Sequence, residues 1–375
     1  MKNKMILIFA SIILVLLIFF IGILLIISPG KIETYKNESG EELKESLVEK
    51  IFVNIGGVRQ GMFIRSKNTN NPVLLYLHGG PSFPNYFLFE KYEPGLEDFF
   101  TVCYWEQRGG GLSFNSGVSL ESMTFNQLSE DAIEVSKYLC KRFEKDKIFI
   151  MAHSGGTPIA LMSVEKSPEL YYAYIAMAQI TNQLESEKIA YKYMLDQYKA
   201  KNNDDAIKDL LKYNVMESDS NVLDYYKSVV RDQSMHELGI GTMHQMNSIL
   251  ADVFLPVWTC RAYTLLEKIY IWKSKFFFLP KTKLFEELLS TDFSKKVPKI
   301  EIPVYFFSGK YDLTVNIDLS RKYFDSIKAP LKGFYTFENS AHSPLFEEPA
   351  KVKNIFKKDI LLFQINLADK MLKVE

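Results

Sequence analysis

Residues Lys147 to Ala160 read K-I-F-I-M-A-H-S-G-G-T-P-I-A. A short apolar run, Ile148 to Met151, stops at a serine flanked by small residues, and a helix-compatible stretch follows. The pattern is strand, sharp turn, helix, with Ser154 at the apex. It approximates G-x-S-x-G, the strained turn that lifts a nucleophilic serine clear of a sheet, with Ala152 where the first glycine would stand. Small flanks are needed because the backbone is strained and neighbouring chains pass close. Gly155 carries no side chain, so its N–H can face a developing oxyanion. An ordinary turn could also read this way, so the rest of the chain has to supply the partners.

The surrounding pattern alternates strands with helices, which predicts a mostly parallel sheet. Ile51 to Ser66 reads as two strands around Gly56-Gly57, a hairpin. Val73 to Leu77 is a continuous apolar run, as in a strand buried on both faces, and it ends in His78-Gly79-Gly80-Pro81. The glycines free the backbone there, so Gly79 or Gly80 can supply a second oxyanion donor. Thr101 to Trp105 is a further strand running into Glu106-Gln107-Arg108-Gly109-Gly110-Gly111. That run has no phosphate-loop frame; it reads as a tight turn, with Arg108 bracing loops beside the site. Thr124 and Gln127 form a capping box ahead of Leu128, Ala132, Val135 and Leu139 at helical spacing. Tyr171 to Ile180 is one more strand.

The pattern changes at about Thr181. From there to Leu289 the signal is helical, as in Val222, Tyr225, Tyr226 and Val229. The stretch Phe254 to Leu279 is dense in aromatics, expected to be core with a few lining a substrate pocket. The expectation is a helical cap placed over the sheet. Strands return at Pro303 to Phe307 and Gly333 to Phe337, and a helical stretch runs from about Phe346 to Leu372. The resulting divisions are 1–30 anchor, 31–50 polar stalk, 51–180 first part of the core, 181–295 cap and 296–375 second part of the core.

Met5 to Ile27 carries no charge and is almost wholly Ile, Leu, Phe and Val. At roughly 1.5 Å per residue it can span the hydrocarbon layer. A cleaved signal peptide has a shorter apolar region, roughly 7–15 residues, and Ser28-Pro29-Gly30 is a poor cleavage site, so an uncleaved single-pass membrane anchor is favoured. The very short tail before the span favours an inside N-terminus and an extracytoplasmic remainder. Lys+Arg and Asp+Glu are both 45, so no bulk charge argues for nucleic acid as a partner. Cys103, Cys140 and Cys260 lack metal-ligand spacing and read as buried free thiols. No metal or cofactor motif appears.

Three chemically competent groups fall at strand ends: Ser154, Asp312 in Ser308-Gly309-Lys310-Tyr311-Asp312, and His342 in Ser340-Ala341-His342. Open α/β sheets place their sites there. A serine hydroxyl is a weak nucleophile until a base takes its proton; imidazole does so near neutral pH, and a carboxylate fixes the imidazole's tautomer. Of five histidines, His78 and His153 sit inside the two motifs and read as local supports. His236 and His244 fall in the cap.

On these residues the chain resembles the α/β-hydrolase superfamily, and most closely its proline iminopeptidase branch. The resemblance rests on His78 to Pro81, on Gln107-Arg108-Gly109-x-Gly111-x-Ser113, on Ala152 to Gly156, on Gly309 to Asp312 and on Ala341-His342. It implies a doubly wound α/β sheet and a serine hydrolase with Ser154, Asp312 and His342 as triad and Gly79, Gly80 and Gly155 as oxyanion hole. The implied substrate is a small molecule or short peptide, cleaved through an acyl-enzyme with release of an N-terminal proline or other small residue. Family iminopeptidases carry acidic cap residues for the free amine, one of them in a Trp-Glu pair; here Trp258 is followed by Thr259, and Glu237, Asp252 and Glu267 are the possible substitutes. A carboxylesterase of small acyl esters and a non-catalytic binding protein on the same fold are the alternatives.

Overall fold

The computed structural model describes residues 2–115, 117–246 and 248–370. It begins with helix α1 (Lys2–Ile26), whose apolar span is nowhere buried among the described residues. Strands β1 (Leu47–Ile55) and β2 (Val58–Ser66) form the expected hairpin. Gly56 and Gly57 both have positive φ, 55° and 76°, which a two-residue turn of this hand requires. β1 takes the last four residues of the expected stalk. The rest of the stalk lies on the body, with the Lys31 N–H donating to the Arg261 carbonyl at 3.0 Å.

The core continues through β3 (Val73–Leu77), α2 (Tyr86–Tyr92), β4 (Thr101–Trp105), α3 (Phe125–Arg142), β5 (Ile148–His153), α4 (Thr157–Lys166) and β6 (Tyr171–Met177). Among the described residues eight α-helices follow: α5 (Gln183–Ala200), α6 (Asp204–Leu211), α7 (Asp219–Tyr226), α8 (Val229–Glu237), α9 (Leu255–Thr259), α10 (Leu265–Lys273), α11 (Leu284–Ser290) and α12 (Phe293–Lys296). The chain then returns to β7 (Val304–Gly309), α13 (Ile317–Ser326), β8 (Lys332–Phe337), α14 (Pro344–Glu347) and α15 (Pro349–Lys358). The eight strands form one sheet in the order β1-β2-β4-β3-β5-β6-β7-β8. β1–β2 and β2–β4 are antiparallel and all other pairs are parallel.

The middle of the sheet is buried on both faces: β3, β4, β5 and β7 are mostly apolar and buried at every residue. Leu75, Leu77, Ile150 and Ala152 pack with Leu128, Ala132 and Val135 of α3 and with α4. Leu74, Tyr76, Phe149 and Met151 pack on the other face with Phe87 and Phe89 of α2 and Ile355 and Phe356 of α15. Each such side chain contributes roughly 1.5–3 kcal/mol on burial. Helices α5 to α8, within the stretch expected to form a cap, share a small hydrophobic cluster that includes Tyr191, Met194, Tyr198 and Tyr225.

Several sequence expectations need correction. Thr124 does cap α3, accepting from the Gln127 N–H at 3.1 Å, but the Gln127 amide goes to Asp131 at 2.9 Å and does not return to Thr124. Cys140 is half-buried, unlike Cys103 and Cys260. The C-terminal helical stretch breaks up. After α15 the carboxylate of Asp359 accepts the N–H groups of Asn366 and Leu367 at 3.0 and 2.8 Å, and Phe363 turns left-handed at φ 54°. Leu372, where that stretch was expected to end, lies outside the described residues. The aromatics of 254–279 are not mainly core, since Phe276 and Phe277 are 58% and 68% exposed.

Candidate active site

β5 ends in extended geometry at His153, and Ser154 follows at φ 51°. A left-handed serine costs on the order of 1–3 kcal/mol, and the surroundings hold it there. The chain makes one tight helical turn over Ser154–Gly156 and enters α4, with the Thr157 hydroxyl donating back to the Ser154 carbonyl at 2.6 Å. The small residues are required by contact. A Cβ on Gly155 would lie 2.7 Å from the Pro81 nitrogen, and one on Gly156 would lie 2.5 Å from the His78 carbonyl. Ala152 is wholly buried, paired in register between Leu77 and Ala176, so a methyl fits where a glycine was anticipated. Among the described residues no hydrogen bond reaches the Ser154 hydroxyl.

The loop after β3 lies across this turn. A Cβ on Gly79 would sit 2.9 Å from the Ser154 Cβ, and one on Gly155 would sit 2.9 Å from the Gly80 nitrogen. Among the described residues, neither the Gly79 nor the Gly80 N–H donates a hydrogen bond. Gln107 holds this loop. Its backbone N–H donates to His78 Nε2 at 3.1 Å, its side-chain amide donates to the His78 carbonyl at 2.8 Å, and its side-chain oxygen accepts from the Ser82 N–H at 2.9 Å. His78 therefore carries its proton on Nδ1, which faces the Gly79 carbonyl at 3.1 Å. Burial pushes the His78 pKa down to about 4, so the ring is neutral.

Arg108 turns away from these residues. It makes a two-pronged ion pair with Asp131 of α3, both contacts at 2.8 Å, and donates to the Gly56 carbonyl at 2.9 Å. It ties the hairpin to α3 and leaves the site to its neighbour Gln107. The sequence did carry Gln107, but only as a letter in a motif.

Asp312 and His342 meet directly. Asp312 stands beyond β7, His342 beyond β8, and the His342 Nδ1–H donates to Asp312 Oδ2 at 2.9 Å. The other oxygen of Asp312 accepts from the Val315 N–H at 2.9 Å. Gly309 lets the two loops cross, because a Cβ there would fall 1.8 Å from the Ala341 carbonyl oxygen. His153 links this pair to the serine's turn. Its Nε2–H donates to the His342 carbonyl at 2.8 Å, and the two rings lie 4.8 Å apart. Burial, and then the neighbouring His342, push the His153 pKa down to about 3. The second nitrogen of His153 is buried without a hydrogen-bond partner.

The base's loop also has a support that the sequence did not reveal. Glu347, on α14, accepts from the Ala341 N–H at 3.0 Å, the Ser343 N–H at 3.3 Å and the His244 N–H at 2.5 Å. His342 N–H donates in turn to the cap carbonyl of Gly241 at 3.2 Å. Glu237, Asp252 and Glu267 are all engaged, with Tyr198 at 3.0 Å, Lys91 at 2.7 Å and Lys50 at 3.0 Å respectively. A cavity of about 870 Å³ lies between Glu33–Lys36, α2 and α9, and its lining includes none of Ser154, Asp312 and His342.

Residues 97–227 match a family model described as "Serine aminopeptidase, S33". A probable aminopeptidase, YbaC, of Bacillus subtilis (strain 168) is 32% identical over 315 residues, 83% of this chain and 96% of that protein. Among solved structures, the proline iminopeptidase of Mycobacterium smegmatis is similar in fold at 13% identity and TM-score 0.59, covering 82% of this chain and 96% of that one. A proline iminopeptidase-related protein of Thermus thermophilus is similar at 18% identity and TM-score 0.53, covering 83% and 96%.

Proposed function

Because this chain belongs to the S33-type α/β-hydrolases, we propose that it is a membrane-anchored serine hydrolase cleaving an amide or ester bond through an acyl-enzyme. The nearest activity is that of an aminopeptidase releasing N-terminal proline or another small residue. The observation that carries the reading is a left-handed Ser154 under the Gly79–Gly80 backbone, together with a buried Asp312–His342 hydrogen bond that the preceding residue, His153, ties to the serine's turn through the His342 carbonyl.

In the proposed reaction His342 Nε2, left unprotonated by the Nδ1–H bond to Asp312, takes the Ser154 proton as Oγ attacks the scissile carbonyl. The Gly155 N–H and the Gly79–Gly80 backbone receive the oxyanion; loss of one such donor typically costs about 100- to 1000-fold in rate. The imidazolium then protonates the leaving amine or alcohol, and water enters by the same base to release the acyl group. His78 and His153, both neutral, hold the two loops.

The test is labelling of the full chain with a fluorophosphonate probe, wild type against Ser154→Ala. Labelling confined to wild type is expected; none in folded wild type would overturn the enzyme reading and favour a non-catalytic binding protein. The carboxylesterase alternative draws on one observation: Glu237, Asp252 and Glu267 are each taken by another partner. Peptides with free and blocked amino termini separate the two, since an aminopeptidase turns over only the free amine. The anchor reading is supported by residues just past the span. Ser28 is buried, and Lys268 donates to the Ile27 carbonyl and the Ser28 hydroxyl at 3.1 and 2.9 Å.

A further inference from the structure

Lys268 lies on α10, and it holds the chain where the apolar span ends. Pro29 pairs with Thr264 at the start of the same helix, and the Lys31 N–H donates to the Arg261 carbonyl. The span therefore leaves the body at α9–α10. Around that point the cap turns large apolar side chains outward. Leu255, Leu266, Ile269, Phe276 and Phe277 are 47%, 54%, 43%, 58% and 68% exposed. Such side chains are ordinary singly, but a contiguous patch marks a surface that meets something apolar.

Within the patch an almost wholly apolar groove of about 430 Å³ is lined by Trp258, Ile269, Trp272, Lys273 and Phe277. Both indole N–H groups are buried without a hydrogen-bond partner. Exposed Lys273 is part of that lining. Indole rings beside a long cationic side chain are the composition of a membrane–water boundary.

We propose that this face of the cap, from α9 through Phe278, rests on the bilayer beside the anchor, with Phe276 and Phe277 in the acyl layer and Trp258 and Trp272 at the headgroup level. The proposal rests on the reading of residues 5–27 as a retained membrane anchor, and the continuity of the patch with the end of that span is what selects lipid as its occupant. The consequence for the site is positional. Trp272 packs on Phe83 with ring centroids 6.1 Å apart, and Phe83 stands 3.1 Å from where a Gly80 Cβ would be. One aromatic ring thus separates the bilayer-facing surface from the loop proposed to hold the oxyanion.

The experiment uses the full chain reconstituted into phosphatidylcholine vesicles, with lipid brominated near the headgroup end of the acyl chains or unbrominated. The chain has three tryptophans, and Trp105 is wholly buried in the sheet. Tryptophan emission is expected to be about twofold lower in brominated vesicles. The double variant Trp258→Phe/Trp272→Phe should leave only Trp105 emission, indifferent to bromine. Phe276→Ser/Phe277→Ser, at exposed positions, should lose at least about half of the quenching while the protein still floats with the vesicles. Flotation with unquenched tryptophans overturns the docking face and spares the anchor. Failure to float overturns the anchor reading, and the docking face with it.

Discussion

At the carboxyl ends of β5, β7 and β8, the loops that carry the site are tied by hydrogen bonds from within the chain, although His153 Nδ1 and the hydroxyls of Ser308 and Ser343 are buried without partners. Gln107 spends its backbone N–H and both ends of its amide on the 78–82 loop, Glu347 collects three N–H groups around His342, and both Asp312 oxygens are engaged. The face of the cap around α10 differs in what it shows to the outside: large apolar side chains, Phe276 and Phe277 foremost, turn outward with no part of the described chain over them. Loops tied from within can hold reacting groups still before substrate arrives, whereas an uncovered apolar face is finished by its surroundings. Substitutions should therefore separate the two: changes at the strand ends should act on rate and stability, and changes at the cap face on membrane contact alone.

The largest effect is expected from Asp312→Asn. The side-chain oxygen facing the Val315 N–H can stay, so the fold should hold. The amide would offer N–H groups to His342 Nδ1 and force the proton onto Nε2, where it blocks the base. A loss of about 10⁴-fold in kcat is expected, read from steady-state hydrolysis together with an unchanged circular dichroism spectrum. Activity within tenfold of wild type would mean that the Asp312–His342 bond is scaffolding only. Next comes Gly309→Ala, which drives a methyl into the Ala341 and Ser340 carbonyls. Neither can yield without parting the Asp312 and His342 loops, so about 1–3 kcal/mol of stability should go, measured by urea unfolding. An unshifted midpoint would show that the loop crossing has slack.

The strand ends were legible because their chemistry is local in sequence. A serine between small residues, an aspartate past Ser308-Gly309 and a histidine past β8 each advertise themselves within five residues. Glu347 did not, since it acts on backbone N–H groups of Ala341, Ser343 and the distant His244, and no side-chain pattern records that. The cap face was misread for a related reason. Helical periodicity shows which residues share a side, but not whether that side is covered by the rest of the chain, so Phe276 and Phe277 read as core or pocket although both are exposed. The C-terminal helix was over-read because Asp359 folds residues 364–367 back on itself, a tertiary effect.

Glu347→Gln sharpens the comparison at the point where sheet and cap touch. The variant places an amide N–H₂ against N–H donors, and at least one of the three bonds must go. Burial holds the carboxyl up at about 7, with the His244, Ser343 and Ala341 N–H groups pulling the other way. About 1–3 kcal/mol of destabilisation is expected for a partly buried donor left unpaired. A kcat decrease of about tenfold with little change in KM should accompany it, because the disturbed loop carries the base rather than a substrate contact. A KM effect alone would move Glu347 from the base to the cap.

The smallest effect concerns Glu106, which joins the loop after β4 to the segment leading into α10. It accepts from the Tyr263 hydroxyl and, at 2.5 Å, from the Leu112 N–H. Burial raises its pKa from 4.5 to about 8, against the opposing pull of those two bonds. The folded chain thus holds a proton that the unfolded chain releases near pH 4.5. The group's contribution is fully present below that pH and is lost as pH rises through about 8. Glu106→Gln keeps an acceptor for Leu112 and a donor toward Tyr263 but cannot ionise. Wild type and variant should melt together below about pH 4.5, diverge as pH rises from there to about 8, and stay a few degrees apart in favour of the variant above it. Parallel melting curves across that range would mean that the carboxyl is already ionised, with Tyr263 donating to a carboxylate instead of bonding to a neutral acid.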